Sequence, residues 1–518
     1  MRRIRSQAFV LPASFPIVAP VLIVAPILIL GGCAAVGPDY ERPKVSVPER
    51  MPEIATPSSG SIQVTSGPAD TGRYWEVFHD EDLVRLVDQA LDENQDLHAA
   101  LARVMIARSV VREEFAPLLP KISVTGTYAY VKLPQLSHGA AAAAGAATAA
   151  PLTGQPFQAF AGFANLSYEV DLWGRIRRQL ETANASELAS EEDRKAVELT
   201  VIGDTIQTYF DLCQAGANVA IARASVAIAT SSLAIVNERF EKGLTTELEL
   251  RRARALLQQV SAEVPGAELD RVTAEHKLAL LVGHPPDLHV AGKPPVEFDL
   301  PPSIPAGVPA DLLERRPDVR AAEARLASSN AQIGAVIAEF FPKLSIVGFL
   351  GNATILDFKT ISNAASQFYV AGPALSLPIF QGGLTYARYL EAKGHTAESE
   401  ASYRQAVLRA FSEVADAVSA IGAHERERDA VAAQEAELSR AVELADVQYR
   451  AGFVTFLDVL DAQRVLLQAR QALVRAQRRI LGDIVTLQRA LGGGWREVEP
   501  DDFLLGLASK VTNPGTAR

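Results

Sequence analysis

The stretch QYRAGFVTFLDVLDAQRVLLQ, Gln448–Gln468, has a worn double upstream in ERFEKGLTTELELRRARALLQQ, Glu238–Gln259. Each places an aromatic residue three positions before a glycine. A short threonine-bearing turn follows, and then an acidic residue opens an apolar helix. Gly243 and Gly452 lie 209 residues apart. Both turns close a long proline-free run. From Arg175 to about Phe240 nothing interrupts a helix for 66 residues, a length of about 100 Å at 1.5 Å per residue. A second such helix is expected from Leu384 to Tyr449. Helices this long do not stand alone in water and must lie against partners. Past each turn a shorter helix is expected: 247–281, with Pro265 as a kink, and 456–491.

Upstream of each long helix the period changes to two. In KISVTGTYAYV, Ile122, Val124, Tyr128 and Tyr130 alternate with Ser123, Thr125, Thr127 and Ala129, the signature of a strand. FAGFANLSYEV alternates again, with Phe160, Ala164, Leu166, Tyr168 and Val170 on one side. The Gly/Ala-rich 138–156 between them reads as a long hairpin loop, with a short helix of its alanines as the alternative. Ahead of the strands, apolar residues from Leu83 to Met105 predict a helix over 82–115, ended by Pro117 and Pro120. After a Pro-rich link the order returns. Residues 310–340 read as a helix, FFPKLSIVGFLG answers FAPLLPKISVTG, and FYVAGPALSLPIF answers FANLSYEVDLW. The chain is thus expected to be a tandem duplication: helix, strand, strand, long helix, turn, helix. Two short helices match one long one in length. Helices 82–115 and 247–281 are therefore expected to stack end to end beside 175–240, and 310–340 with 456–491 beside the second long helix.

The chain has 518 residues with 7% aromatic and 21% charged side chains, a composition that leans helical. A formal net charge of −11 gives no support to a nucleic-acid partner, and two cysteines imply no disulfide framework. The N-terminus carries a different signal. Three arginines, a long apolar run and small residues precede Cys33, the layout of a secretory signal. Leu30-Gly31-Gly32-Cys33 resembles a bacterial lipobox, in which the cysteine is lipidated and becomes the first mature residue. The competing reading, an uncleaved membrane helix, is opposed by Pro12, Pro16, Pro20 and Pro26. Loss of residues 1–32, with three arginines and no acid, takes the charge from −11 to −14. Ala34, where Asp would signal inner-membrane retention, points by the same resemblance to the outer membrane. No second apolar run reaches the ~20 residues of a membrane helix, so a mature chain that crosses a membrane does so as strands.

Four candidate strands cannot close a barrel, because single-chain barrels need about eight and an open edge leaves unpaired amides in lipid. Several copies must share one barrel, two giving eight strands or three giving twelve. Phe157, Phe160, Tyr168, Trp173, Phe368, Tyr369 and Phe380 at the strand ends suit an interfacial girdle. A soluble β-subdomain with an aromatic core fits the strand pattern equally well.

Five stretches together resemble the TolC-type outer-membrane efflux channels, in their NodT-like or OprM-like lipoprotein branch: CAAVGPDYERP from Cys33, DLWGR from Asp171, ERRPDVRAAEARLASSNAQIGAV from Glu314, LPIFQGG from Leu377, and the YRAG…LDVLDAQ of the second turn. The resemblance covers essentially the whole mature chain. It implies a mainly α fold with a small β part. In that fold a homotrimer shares a twelve-stranded transmembrane β-barrel continuous with a long periplasmic α-helical barrel. The divisions expected are a signal peptide 1–32, a lipidated tether 33–81, repeat one 82–284, a Pro-rich linker 285–309, repeat two 310–494, and a C-terminal tail 495–518. The implied function is the passive exit duct of a tripartite efflux pump. Its implied partners are a periplasmic adaptor, an RND-type inner-membrane transporter and outer-membrane lipid, with no cofactor. A periplasmic coiled-coil scaffold or adaptor lipoprotein is the alternative; it accounts for the helices and leaves the strands unexplained. No nucleophile or paired acid and base sits in a cleft-like context, so no enzyme is expected.

The turns hold the candidate site. Gly243 and Gly452 are expected to supply positive φ. By resemblance Gly243, Leu244, Gly452 and Phe453 form the tips that meet the adaptor. Asp458 and Asp461 are three apart and share a helical face, as do Leu457 and Asp461. Under threefold symmetry they would make a carboxylate ring beside a leucine ring, a constriction that attracts cations and can dewet. Glu249 lies six residues past Gly243, as Asp458 does past Gly452. By resemblance Tyr449, Glu249, Asp458 and Asp461 hold this aperture shut. The bland reading makes these acids solvated N-terminal residues favoured by the helix dipole. A basic residue that follows the second glycine in some members is Val454 here, which leaves Arg251, Arg252 and Arg464 as candidate partners. The eight histidines show no ligand spacing, Cys213 reads as a small apolar filler, and the charge run ELASEEDRKAVE reads as a solvated outer face.

Overall fold

The structure is a computed structural model that describes residues 35–45, 62–65, 72–132, 156–305, 309–355 and 358–495. The expected lipidation point Cys33, the signal peptide 1–32 and the tail beyond Trp495 lie outside the described residues. The chain is mainly helical with a small sheet. Its elements in order are β1 (Gln63–Thr65), α1 (Glu81–Glu93), α2 (Gln95–Phe115), β2 (Lys121–Lys132), β3 (Pro156–Val170), α3 (Arg175–Glu241), α4 (Glu247–Leu281), β4 (Ser303–Pro305), α5 (Pro309–Arg315), α6 (Pro317–Ala338), β5 (Lys343–Ile355), β6 (Gln367–Ser376), α7 (Leu384–Ala451) and α8 (Phe456–Ala490). Contacts divide it into two units. One comprises Met1–Glu41, Ser109–Ala185 and Ala327–Glu398; the other comprises Arg42–Arg108, Ser186–Leu326 and Ser399–Arg518.

The first unit holds an antiparallel four-stranded sheet in the order β2-β3-β5-β6. Register decides its character. Ile122 pairs with Leu166, Leu166 with Gly348, and Leu344 with Leu375. Val124, Ala164, Leu350 and Tyr369 line up across the same face. That face is largely apolar on all four strands, with Asn352 and Thr354 of β5 among its polar members, and side chains on it stand open: Val124 is 83% exposed, Tyr369 81% and Leu375 70%. The opposite face is mixed: Ser123, Thr125, Asn165 and Ser345 lie on it, with Asn165 Nδ2 donating to Thr125 Oγ1 at 3.0 Å, and Phe163 there meets Phe349 and Phe368 edge-on. Below the strands Trp173 stacks on Phe341 at 4.6 Å and donates from Nε1 to the Pro342 carbonyl at 2.9 Å.

The second unit packs its core around Trp75, Phe78, Leu83, Leu86, Tyr209, Phe210, Ile480 and Ile484. The stretch 33–81, expected to run as a tether, contributes to this core: Trp75 and Phe78 are fully buried, and β1 pairs in parallel with β4. The helix expected over 82–115 is broken at Asn94. That residue closes α1 and opens α2, accepting from the N–H groups of Asp96 and Leu97 on Oδ1. Its Nδ2 donates to the Leu281 carbonyl at 2.8 Å, so the end of α4 meets the start of α2. Arg316 does the equivalent in the second half, donating to the Ala490 carbonyl at the end of α8. α4 runs unbroken through Pro265. The sequence reading found no second apolar run of membrane-spanning length, yet α3 holds an 18-residue window that would pass as a membrane span by composition, with 28% of it buried within the chain.

The charge run at the start of this unit's share of α3 is not a solvated face. Glu192, Arg194 and Glu198 are each 1% exposed and Lys195 is 7%. Arg194 binds Glu198 at 2.8 Å, Glu192 binds Lys195 at 3.1 Å and Arg320 at 3.0 Å, and Lys195 lies over the Trp495 ring at 4.4 Å. Charge alone cannot tell a wet helical face from one that another helix covers with complementary charge, and here α6 and Trp495 cover it. Cys213 is buried as expected, and burial pushes its thiol up to about 12.

Candidate aperture at the hairpin turns

Both turns, in the second unit, are built the same way. At the end of α3, Leu244 N–H donates to Arg239 O at 2.8 Å and Gly243 N–H to Phe240 O at 2.9 Å. At the end of α7, Phe453 N–H donates to Gln448 O and Gly452 N–H to Tyr449 O. This paired pattern is a Schellman motif, whose C′ residue must be left-handed; Gly243 has φ 70° and Gly452 φ 84°. A Cβ at either glycine would meet nothing within 4 Å, so the constraint is one of backbone alone. Gly452→Ala is therefore expected to destabilise the protein by about 1–2 kcal/mol. Gly394→Ala, inside α7 with equal room, should stabilise it by about 0.5–1 kcal/mol. Thermal unfolding of the two variants should shift in opposite directions.

Threonine N-caps start the next helices. Thr455 and Asp458 form a reciprocal capping box, with Thr455 N–H donating to Asp458 Oδ2 at 2.9 Å and its hydroxyl at 2.7 Å. These bonds hold the Asp458 carboxyl below the usual range. Thr246 caps α4, accepting from Glu249 N–H. Glu249 occupies the matching position but spends its carboxylate differently. It accepts from the Thr245 hydroxyl and, at 3.3 Å, from the Tyr449 hydroxyl. Tyr449 is buried against Phe456 and Val459. Burial, and then the Glu249 charge, hold its phenol above the ordinary range.

Of the expected residues, Tyr449 and Glu249 meet directly. Asp458 and Asp461 do not join them: Asp458 serves its own cap, and Asp461, exposed, pairs with Arg464 at 2.9 Å. Arg251 turns to Glu247. Leu457 is 48% exposed, while the tip residues Leu244 and Phe453 are 64% and 83% exposed. One residue the sequence reading passed over is central. Arg239 lies over the Tyr449 ring at 4.9 Å and donates from Nη1 to the Tyr449 carbonyl at 3.1 Å, so the end of α3 caps the end of α7. The likeness of the two turns conceals it, because the residue at the matching place in the second turn, 209 positions on, is Gln448.

A family model described as outer membrane efflux protein matches residues 86–284 and 308–493. The chain belongs to this family. As an outer membrane efflux protein it is 31% identical over 468 residues to the solvent efflux pump outer membrane protein SrpC of Pseudomonas putida, spanning 90% of this chain and 96% of that one. It is 32% identical over 473 residues to OprJ of Pseudomonas aeruginosa, spanning 90% and 94%. The CmeC outer membrane channel of Campylobacter jejuni superposes with a TM-score of 0.79 at 26% identity, covering 91% of this chain and 98% of that one. Efflux proteins of this family are outer-membrane channels of Gram-negative bacteria and components of efflux pumps, so the chain is a transport protein and not an enzyme.

Proposed function

We propose that three copies of this efflux protein share a twelve-stranded barrel and form the passive exit duct of a tripartite pump. The observation that carries the reading is the sheet: one face is largely apolar across its four strands, with side chains standing open, and among the described residues its outer strands β2 and β6 each pair on one side only. Lipid on that face and neighbouring copies at both edges satisfy the two demands together. The helical hairpins then continue the duct into the periplasm. The order helix, two strands, long helix, turn, helix occurs twice and is read as a tandem duplication over 82–284 and 310–494. Cys33 carries the lipid, Gly243, Leu244, Gly452 and Phe453 meet a periplasmic adaptor, and an inner-membrane transporter of the RND type supplies the energy.

The aperture is assigned to the second turn and the helix after it. Asp461 and Leu457 are exposed and available to a threefold ring, and Asp458 flanks them from its cap. Tyr449, Arg239 and Glu249 lock the two turns of each copy behind this ring. Opening then means that α7 and α8 move against α3 and α4 and part these bonds. Asp458→Ala combined with Asp461→Ala is expected to raise single-channel conductance in planar bilayers. An unchanged conductance would remove the aperture from these residues and leave the duct intact.

A further inference from the structure

Residues 35–39 cross the first unit as an extended segment held by contacts of unusual density. Val36 N–H donates to the Trp173 carbonyl at 3.0 Å. Arg178, whose side chain is 5% exposed, donates from Nε to the Val36 carbonyl at 3.2 Å and from Nη2 to the Gly37 carbonyl at 3.4 Å and Asp39 Oδ1 at 2.7 Å. Asn330 Nδ2 donates to the Pro38 carbonyl at 3.1 Å. Three glycines make room. Gly37 has φ 102°, and a Cβ there would lie 2.4 Å from Gly334 Cα; one on Gly334 would lie 2.8 Å from the Val36 carbonyl; one on Gly174 would lie 2.4 Å from Ala35 Cβ. No side chain fits at any of the three. Main-chain capture by a buried arginine and an amide, with side-chain selection at fixed positions, is how proteins read extended peptides.

We infer that the groove between the start of α3 and α6 is a peptide-binding site, specific for Ala-Val-Gly-Pro-Asp, which the chain fills with its own residues 35–39. The segment is thus a latch and not a free tether. Its selectivity lies at two positions, glycine where the backbone is left-handed and touches Gly334 and an acid for Arg178, while the bonds to the Val36 and Pro38 carbonyls fix the path of the main chain. The inference depends on no property of the channel.

The test uses the full-length protein in detergent with a fluorescent peptide of residues 34–41. Gly37→Val forces the chain's own segment off Gly334. Residues 34–41 should become protease-sensitive, and the labelled peptide should bind at least about tenfold more tightly than to the unsubstituted protein, whose groove is filled. The same peptide carrying Gly37→Val should not bind, and a Gly334→Val protein should bind neither. Equal binding of the two peptides, or a Gly37→Val segment as protease-resistant as the original, overturns the inference. If Gly37→Val does not fold, Asp39→Ala removes a carboxylate that is 90% exposed and leaves the packing intact. It should loosen the segment and admit the peptide, and failure to bind peptide there overturns the inference equally.

Discussion

Glu198→Leu is expected to cost about 3–5 kcal/mol of stability, because it strands the Arg194 guanidinium in a site from which water is excluded. Both side chains are 1% exposed and meet at 2.8 Å. Arg194 keeps Glu191 at 3.0 Å, which places the loss toward the lower end of that range. The partner experiment separates charge from packing. Replacing both residues with apolar ones of similar size, Arg194→Met with Glu198→Leu, should restore most of the stability or exceed it, since two desolvated ions are exchanged for apolar contact. Thermal unfolding of the detergent-solubilised protein measures both. A single variant that melts with the unsubstituted protein would mean that water reaches the pair and that the charge run is a wet face after all. Glu192, bound to Lys195 and Arg320, should respond in the same way, which would make this part of α3 a set of paired charges that specifies which helix lies beside it.

That charge run shows where the sequence stopped being legible. Strands, long helices and turns were readable because each rests on local information: a period of two from Ile122 to Tyr130, an unbroken proline-free run from Arg175, a glycine where the chain reverses. The recurring order of elements adds a check, since an element seen in the first half can be sought again at the matching place in the second. What the sequence left unread is what one element does to another. Nothing local distinguishes a wet Glu192 from one covered by Arg320. Asn94 interrupts a helix by an ordinary side-chain cap, and its second role, on the Leu281 carbonyl, depends on a residue 187 positions away. At the candidate aperture the acids stand out in the sequence because they are carboxylates at helical spacing. Arg239 stays hidden because the residue at the matching place in the second turn is not basic. Asp458 carries a second local signal, threonine followed three residues later by an acid, and in the structure that cap claims its carboxylate. Trp75 and Phe78 lie within a stretch otherwise rich in Pro, Ser and Gly, whose composition hid two core residues.

Cysteines at Ala374 and Thr127 are expected to cross-link neighbouring copies under mild oxidation, into a ladder on denaturing gels that ends at three. The register follows from the chain's own sheet. Lys121 pairs with Ser167 in one hairpin and Lys343 with Ser376 in the other. Superposing the hairpins on these pairs makes Ala374 the counterpart of Asn165 and Phe349 the counterpart of Thr127. Within the chain β3 joins β5 with Asn165 opposite Phe349. Carrying that joint onto the open edges sets Ala374 of β6 opposite Thr127 of the next copy's β2. Directly opposed residues in an antiparallel pair lie about 4.5–5.5 Å apart at Cα and share a face, within the span of a disulfide. Cysteines at Ala374 and Gly126 are the control: a slip of one residue turns the side chains to opposite faces, and that pair should stay uncross-linked. A ladder ending at two would mean an eight-stranded barrel. Cross-linking by the control pair alone would mean that the joint between copies does not repeat the joint between the chain's halves, and the barrel would then lose the internal symmetry on which its closure rests. The expected outcome would tie the proposed duplication to the proposed pore. Each copy already contains, between β3 and β5, the contact it needs to make with its neighbour, so closing the ring requires no type of strand joint that the single chain has not already formed.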